Sequence, residues 1–170
     1  LPGQSIGNNA AGKGHFMFRG VYNKRRCLVT GNTGFKGSWL GFWLTRLGAQ
    51  VCGVSLPAEK LSHWTLLEKE YETLFCDIRD LDALHKVFVS FKPETVFHLA
   101  AQPLVRLSYK EPVETFATNV MGTVNCLECC RLTESVENIV NRLADIFDKD
   151  GNLIRQERGY TQNHFASEHL

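Results

Sequence analysis

The stretch TGNTGFKGSW, Thr30–Trp39, carries three glycines, a lysine and a serine, and so can hold phosphate in either of two ways. A nucleoside-triphosphate loop needs G-x-x-x-x-G-K-[ST], with lysine directly after the last glycine and the hydroxyl residue next. Here the order is Gly34-Phe35-Lys36-Gly37-Ser38, so the lysine falls on the wrong side of the glycine. What remains is G-x-x-G-x-x-G, formed by Gly31, Gly34 and Gly37. A plain glycine turn would show the same letters. The apolar run before it and the helical pattern after it argue instead for a dinucleotide turn. In that setting the first glycine permits a tight turn, the second admits a pyrophosphate, and the third lets strand and helix pack closely. The free N–H groups at the start of the helix then favour the phosphates.

Outward from the turn, RCLVT (Arg26–Thr30) reads as a buried strand. GSWLGFWLTRLG comes next as a helix with Leu40, Trp43, Leu44 and Leu47 at helical spacing, stopped by Gly48. AQVCGVSL and YETLFCDI are the next strands. RDLDALHKVFVSF is a helix with Leu81, Leu84, Phe88 and Phe91 inward, capped by Asp80 and ended by Pro93. ETVFHLAA is the fourth strand, and Pro112 opens a long helix bearing Phe116, Val120, Val124 and Leu127. This alternation predicts an α/β fold, a Rossmann-like doubly wound parallel sheet with right-handed crossovers. ESVENIVNRLADIF reads as a helix carrying Val136, Ile139, Val140, Leu143 and Ile146, and no fifth strand is visible. The expected organisation is a flexible leader over 1–15, a partial dinucleotide-binding domain over 16–131, and an atypical helical and irregular segment over 132–170. On this reading the sheet is truncated after four strands.

The composition, 44% hydrophobic and 22% charged over 170 residues with a net charge of +1, is that of a folded domain. It exerts no general pull toward nucleic acid or an anionic membrane. No apolar run approaches the roughly 18 residues of a membrane span, and a cytoplasmic setting is expected. Cys27, Cys52 and Cys76 each lie in apolar runs as small core residues. Cys126 and Cys129 form a C-x-x-C pair, but no second pair or His cluster follows at zinc spacing. DKDGN, Asp148–Asn152, opens like a calcium loop, yet Leu153 and Gly159 stand where Gly and a bidentate Glu belong. It is read as a hydrated turn.

Further residues fit a cofactor site. Asp77 ends the third strand, at the edge where an adenine ring would lie. His98–Ala101 ends the fourth with small residues suited to running beside a cofactor, and His98 itself reads as a hydrogen-bonded core histidine. The second strand lacks the acidic residue that commonly holds the adenosine ribose, leaving Ser55 for a weaker contact.

LVTGNTGFKGSWL, CDIRD, VFHLAAQPLVR and SYKEPVETFATNVMGT together resemble the N-terminal half of the CDP-glucose 4,6-dehydratases, within the extended short-chain dehydrogenase/reductase family. The resemblance runs from about Phe16 to Arg131. It implies NAD as cofactor and a nucleotide sugar, CDP-glucose, as substrate. Gly31, Gly34, Phe35, Lys36 and Gly37 would line the pyrophosphate, and Asp77 and Ile78 would contact adenine. Leu99, Ala100, Ala101 and Gln102 would run along the nicotinamide half, with Thr118 and Asn119 steadying that end. The implied reaction takes hydride from sugar carbon 4, loses water across carbons 5 and 6, and returns hydride to carbon 6. A homo-oligomer is a further expectation. The resemblance also implies a Tyr-x-x-x-Lys pair as base, which this sequence does not contain: Tyr160 meets His164 four residues on.

Overall fold

In this computed structural model, the described residues are 17–58, 60–67, 70–141, 146–147 and 153–155. The expected leader, the Asp148–Asn152 turn and the Tyr160/His164 pair lie outside them. Strand β1 (Arg26–Thr30) is apolar on both sides because both faces of the sheet are covered: Leu28 enters one core, Cys27 and Val29 the other. It pairs in parallel with β2 (Gln50–Ser55) on one side and β4 (Thr95–His98) on the other. β3 (Glu72–Phe75) extends the sheet beyond β2, and β5 (Asn138–Asn141) beyond β4, giving the order β3-β2-β1-β4-β5.

The fifth strand corrects the helix expected over this segment. Val136, Ile139 and Val140 are spaced as a helix would space them, but an isolated apolar pair is equally at home in a short strand. Backbone pairing decided the outcome. Glu94 O, entering β4, accepts Glu137 N at 2.9 Å and Asn138 N at 3.2 Å, and Ser135 Oγ donates to Pro93 O at 2.8 Å. Arg25 adds an ion pair to Glu137 at 2.9 Å. The chain is steered onto the open edge of β4, where Ile139 is buried. The sheet therefore does not stop at four strands.

Helix α1 (Phe35–Arg46) covers one face, with Leu44 packed on Cys27, Val29, Val51 and Phe97. Its sheet-facing side is Gly37, Ser38, Gly41 and Leu44, while Trp43 points outward. Small residues on that side let the helix lie close to the strands. On the other face, α3 (Leu81–Phe91) buries Leu84, Val87 and Phe88, each such side chain contributing roughly 1.5–3 kcal/mol. Asp80 caps it, its carboxylate accepting Ala83 N at 3.0 Å.

The long helix expected from Pro112 is three pieces: α5 (Pro112–Phe116), a wide π-turn (Ala117–Met121) and α6 (Gly122–Leu132). A 3-10 turn (Met17–Gly20), a one-turn helix α2 (His63–Leu66) and α4 (Val105–Lys110) complete the described helices. The buried side of α6 is Gly122, Thr123, Cys126, Cys129 and Cys130, and the apolar stripe Phe116, Val120, Val124 and Leu127 faces out. The thiols are core groups: burial pushes Cys27 up to about 12 and Cys129 up to about 12, and Cys52 up to about 11, far from thiolate formation at neutral pH. Among the described residues, no helix is long and apolar enough to cross a membrane.

Candidate dinucleotide site

At the end of β1 the chain turns at Gly31, whose φ of +72° only glycine adopts readily. A Cβ there would lie 2.7 Å from Ala100 N, so the turn and the exit of β4 touch backbone to backbone. Gly31 N donates to Val54 O at 2.7 Å and Gly34 N to Gly31 O at 3.1 Å, closing the turn. No side chain caps α1, whose N-cap is Gly34 in extended backbone. The first-turn N–H groups, including those of Phe35, Lys36 and Gly37, lack helical partners and form a positively polarised end. Beneath the turn, Asn32 is fully buried and its Nδ2 donates to Thr73 Oγ1 at 2.8 Å. Its amide occupies the space that Gly53 leaves, since a Cβ on Gly53 would come within 2.3 Å of it.

The exit of β4 is held by a hydrogen-bond relay whose proton directions follow from valence. Thr30 Oγ1 accepts Leu99 N at 3.1 Å and Ala100 N at 3.2 Å. Its own hydrogen is left for His98 Nδ1, 2.8 Å away. Nδ1 is then the acceptor, so Nε2 carries the proton and donates to Thr123 Oγ1 at 3.1 Å. Thr123 in turn donates to Asn119 O at 2.7 Å. The imidazole has no place for a second proton, and burial pushes its pKa down to about 4. His98 positions Leu99 and Ala100 rather than exchanging protons, in line with its sequence reading.

Asn119 clamps the next residue at two points: Oδ1 accepts Gln102 N at 2.7 Å and Nδ2 donates to Gln102 O at 3.1 Å. Gln102 Nε2 donates to Thr115 Oγ1 at 3.0 Å. Thr118 and Asn119 both sit in the π-turn, whose extra residue carries the Asn119 side chain to Gln102; such turns recur at functional sites. The run Leu99–Gln102 is thus fixed from both sides, with Ala101 exposed.

Toward the other end, Ser55 closes β2 and its Oγ lies 2.7 Å from Thr33 Oγ1. Asp77 comes after β3, and its carboxylate accepts Arg79 N at 2.9 Å and the Arg79 guanidinium at 2.7 Å. That guanidinium also bonds Glu114 on α5. The hydrogen bonds from Arg79 hold the Asp77 carboxyl below its ordinary 3.8. Ile78 is buried against Gly122. The glycine turn, Ser55, Asp77 and Leu99–Gln102 therefore share one edge of the sheet, at the carboxyl ends of β1 to β4. Strand order reverses between β1 and β4, where open α/β sheets place their ligands.

Sequence reasoning missed Thr30, Asn32, Thr33 and Thr123. Their only signal was a hydroxyl or amide just at or after β1 and, for Thr123, a hydroxyl in the first turn of α6. It also missed His63, whose Nδ1 lies 2.7 Å from Ser38 Oγ and whose ring stacks on Trp39 at 4.5 Å between centroids. This contact folds the β2–β3 connection back over the start of α1.

The family model described as GDP-mannose 4,6 dehydratase matches residues 28–143. The CDP-glucose 4,6-dehydratase of Salmonella typhimurium is 47% identical over 130 residues, covering 75% of this chain and 36% of that protein. The structure of the UDP-glucose 4-epimerase of Thermus thermophilus in complex with NAD aligns at a TM-score of 0.60 and 33% identity, over 67% of this chain and 36% of that one. Epimerase Mth375 from Methanothermobacter thermautotrophicus aligns at 0.65 and 29% identity, over 80% of this chain and 43% of that one. The chain thus spans about a third of the length of the curated relative it matches. A glycine turn on an uncapped helix, a fixed β4 exit and a family match over most of the described residues agree: this chain belongs to the GDP-mannose 4,6 dehydratase family, within the extended short-chain dehydrogenases/reductases.

Proposed function

We propose that these residues are the NAD-binding portion of a nucleotide-sugar 4,6-dehydratase acting on CDP-glucose. The observation that carries this reading is the backbone-to-backbone approach of Gly31 to Ala100 and of Gly37 to Gly31, which sets the uncapped start of α1 beside the exit of β4. The residues present fit the cofactor. The Phe35, Lys36 and Gly37 amides would hold its diphosphate, Ser55 and Asp77 would face the adenosine, and Leu99–Gln102 would flank the nicotinamide. When bound, NAD supplies hydride exchange with the sugar. The chain's own part is orientation: the Thr30–His98–Thr123 relay and the Asn119 clamp keep the β4 exit from shifting. None of the four tyrosines has a lysine four residues on, so no residue here is assigned as the base.

Two measurements test this. Calorimetric titration with NAD should give saturable binding below millimolar concentrations. With CDP-glucose and NAD together, the 170-residue chain should form no 4-keto product. A folded chain that ignores NAD overturns the binding assignment, and turnover overturns the statement about the base.

The outward stripe supports self-association as well. Val113 at 77% and Phe116 at 66% exposure, with Val120, Val124 and Leu127, form one apolar line along α5 and α6. Light scattering should report a dimer that Phe116→Glu, an exposed change, converts to monomer without loss of helical signal. A wild-type monomer at tens of micromolar would refute it.

A further inference from the structure

We infer that His63 is a positioning residue for the cofactor's diphosphate: acting through Ser38, it holds the first turn of α1, and so the amides of Phe35, Lys36 and Gly37, against the glycine turn. The inference rests on the dinucleotide reading above and adds to it a residue from outside that turn, on the connection between β2 and β3.

The start of α1 has little of its own to hold it. Its N-cap is Gly34 with no side-chain bond, its first turn has no acidic residue, and Gly37 adds backbone freedom. Helix ends of this kind fray unless something outside the helix ties them down. His63 supplies that tie. Phe35, Ser38 and Trp39 stand at i, i+3 and i+4, on one side of α1. The imidazole meets all three: Nδ1 lies 2.7 Å from Ser38 Oγ, and the ring stacks on Trp39 at 4.5 Å and sits edge-on to Phe35 at 5.3 Å. Ser38 is fully buried, and its Oγ also lies 2.9 Å from Phe35 O. Whichever partner takes the hydroxyl hydrogen, the imidazole tautomer adjusts, so the bond between Ser38 and His63 is made in either arrangement.

The segment that carries His63 is itself anchored. A capping box opens α2: Ser62 Oγ accepts Thr65 N at 3.3 Å and Thr65 Oγ1 accepts Ser62 N at 3.3 Å. His63 follows as the first residue of that turn. Further along the same connection, Tyr71 lies against α1 at Gly41, where a Cβ would come within 2.6 Å of its hydroxyl. The Arg46–Glu70 pair, exposed and 3.8 Å apart, adds little. The connection is thus seated along α1 at two points, and the one at His63 falls on the turn whose amides would receive the diphosphate.

Calorimetric titration of the full chain with NAD tests this in wild type, His63→Ala, His63→Asn, Ser38→Ala and the double variant Ser38→Ala/His63→Ala. His63→Ala should bind NAD about tenfold more weakly, the scale of one hydrogen bond and a ring contact together. His63→Asn puts an amide atom where Nδ1 stands and should recover most of that loss. Ser38→Ala alone should lose about fivefold, and it carries the test if His63→Ala does not fold. In the Ser38→Ala background, His63→Ala should cost far less than it does alone, because its effect passes through the missing hydroxyl. Without ligand, the amide resonances of Phe35, Lys36 and Gly37 should shift in His63→Ala while those of β4 stay in place. Wild-type NAD affinity in His63→Ala or Ser38→Ala, no recovery in His63→Asn, equal losses with and without the Ser38 hydroxyl, or unmoved first-turn resonances would each overturn the inference and leave NAD binding by the wild type intact. A folded wild type that ignores NAD removes the dinucleotide reading and this inference together.

Discussion

Gly37→Ala is expected to weaken NAD binding by about a hundredfold or more and to destabilise the fold by about 3 kcal/mol, near the upper end for overpacking. The sign is informative. Gly37 lies inside α1, and in a helix interior alanine is ordinarily better than glycine by about 1 kcal/mol. Propensity alone therefore predicts stabilisation. Against it stands the geometry: the new Cβ would be 2.1 Å from Gly31 O and 2.8 Å from Asn32 Cα. Both neighbours are backbone and cannot rotate away. The helix end must retreat from the turn, carrying with it the N–H groups that would hold the diphosphate. A thermal melt should fall by roughly 10 °C on the scale for a domain of this size, with NAD titration changing in parallel. Gly34→Ala is the control, because its Cβ would meet Gly31 O at 3.3 Å and a small adjustment suffices. An equal or higher melting temperature for Gly37→Ala would show that helix and turn do not touch as described.

The second large effect concerns acid. His98 is neutral in the fold with its pKa pushed down to about 4 from an ordinary 6.5. The folded state resists a proton that the unfolded chain accepts, so the contribution to stability is complete above pH 6.5. It declines as pH falls from 6.5 to about 4 and does not change further below that. Over this window the loss amounts to about 3 kcal/mol. Urea midpoints measured between pH 7 and pH 4 should fall accordingly, and His98→Gln, with no proton to gain, should flatten the slope. Asp77 does not confuse the measurement. Its carboxyl is held below 3.8, so its contribution is present above that value and is lost only at lower pH. If wild type and His98→Gln lost stability in parallel between pH 6.5 and pH 4, the imidazole would not be neutral in the fold.

Much of this arrangement was legible in the letters. The glycine turn, the first four strands, the Asp80 cap and the inward Leu84 and Phe88 are local consequences of spacing and turn chemistry, and the structure has them. The fifth strand was not legible because Val136, Ile139 and Val140 satisfy either period, and what placed them was an open edge on β4 distant in sequence. The outward turn of Phe116 and Val124 was hidden for a related reason. Hydrophobic spacing marks a face but does not say which surface covers it, and here the sheet is met by Gly122, Thr123 and three cysteines. The Thr30–His98–Thr123 relay joins three segments whose successive members are 68 and 25 residues apart, and no short motif announces it. Its members are common residues that acquire meaning only when parallel pairing sets Thr30 beside His98.

The wide turn at Ala117–Met121 has a consequence for how this chain tolerates changes of length. A regular helix closes each turn with i→i+4 hydrogen bonds, whereas the wide turn closes one with i→i+5, so that turn takes up an additional residue with little net rotation. Removing one residue there would let hydrogen bonding run evenly from Pro112 to Leu132 and leave Cys126 and Cys129 on the buried side. What would be lost is the local swelling that carries the Asn119 amide to Gln102. A deletion that tidies the helix would thus spare the packing and loosen the exit of β4.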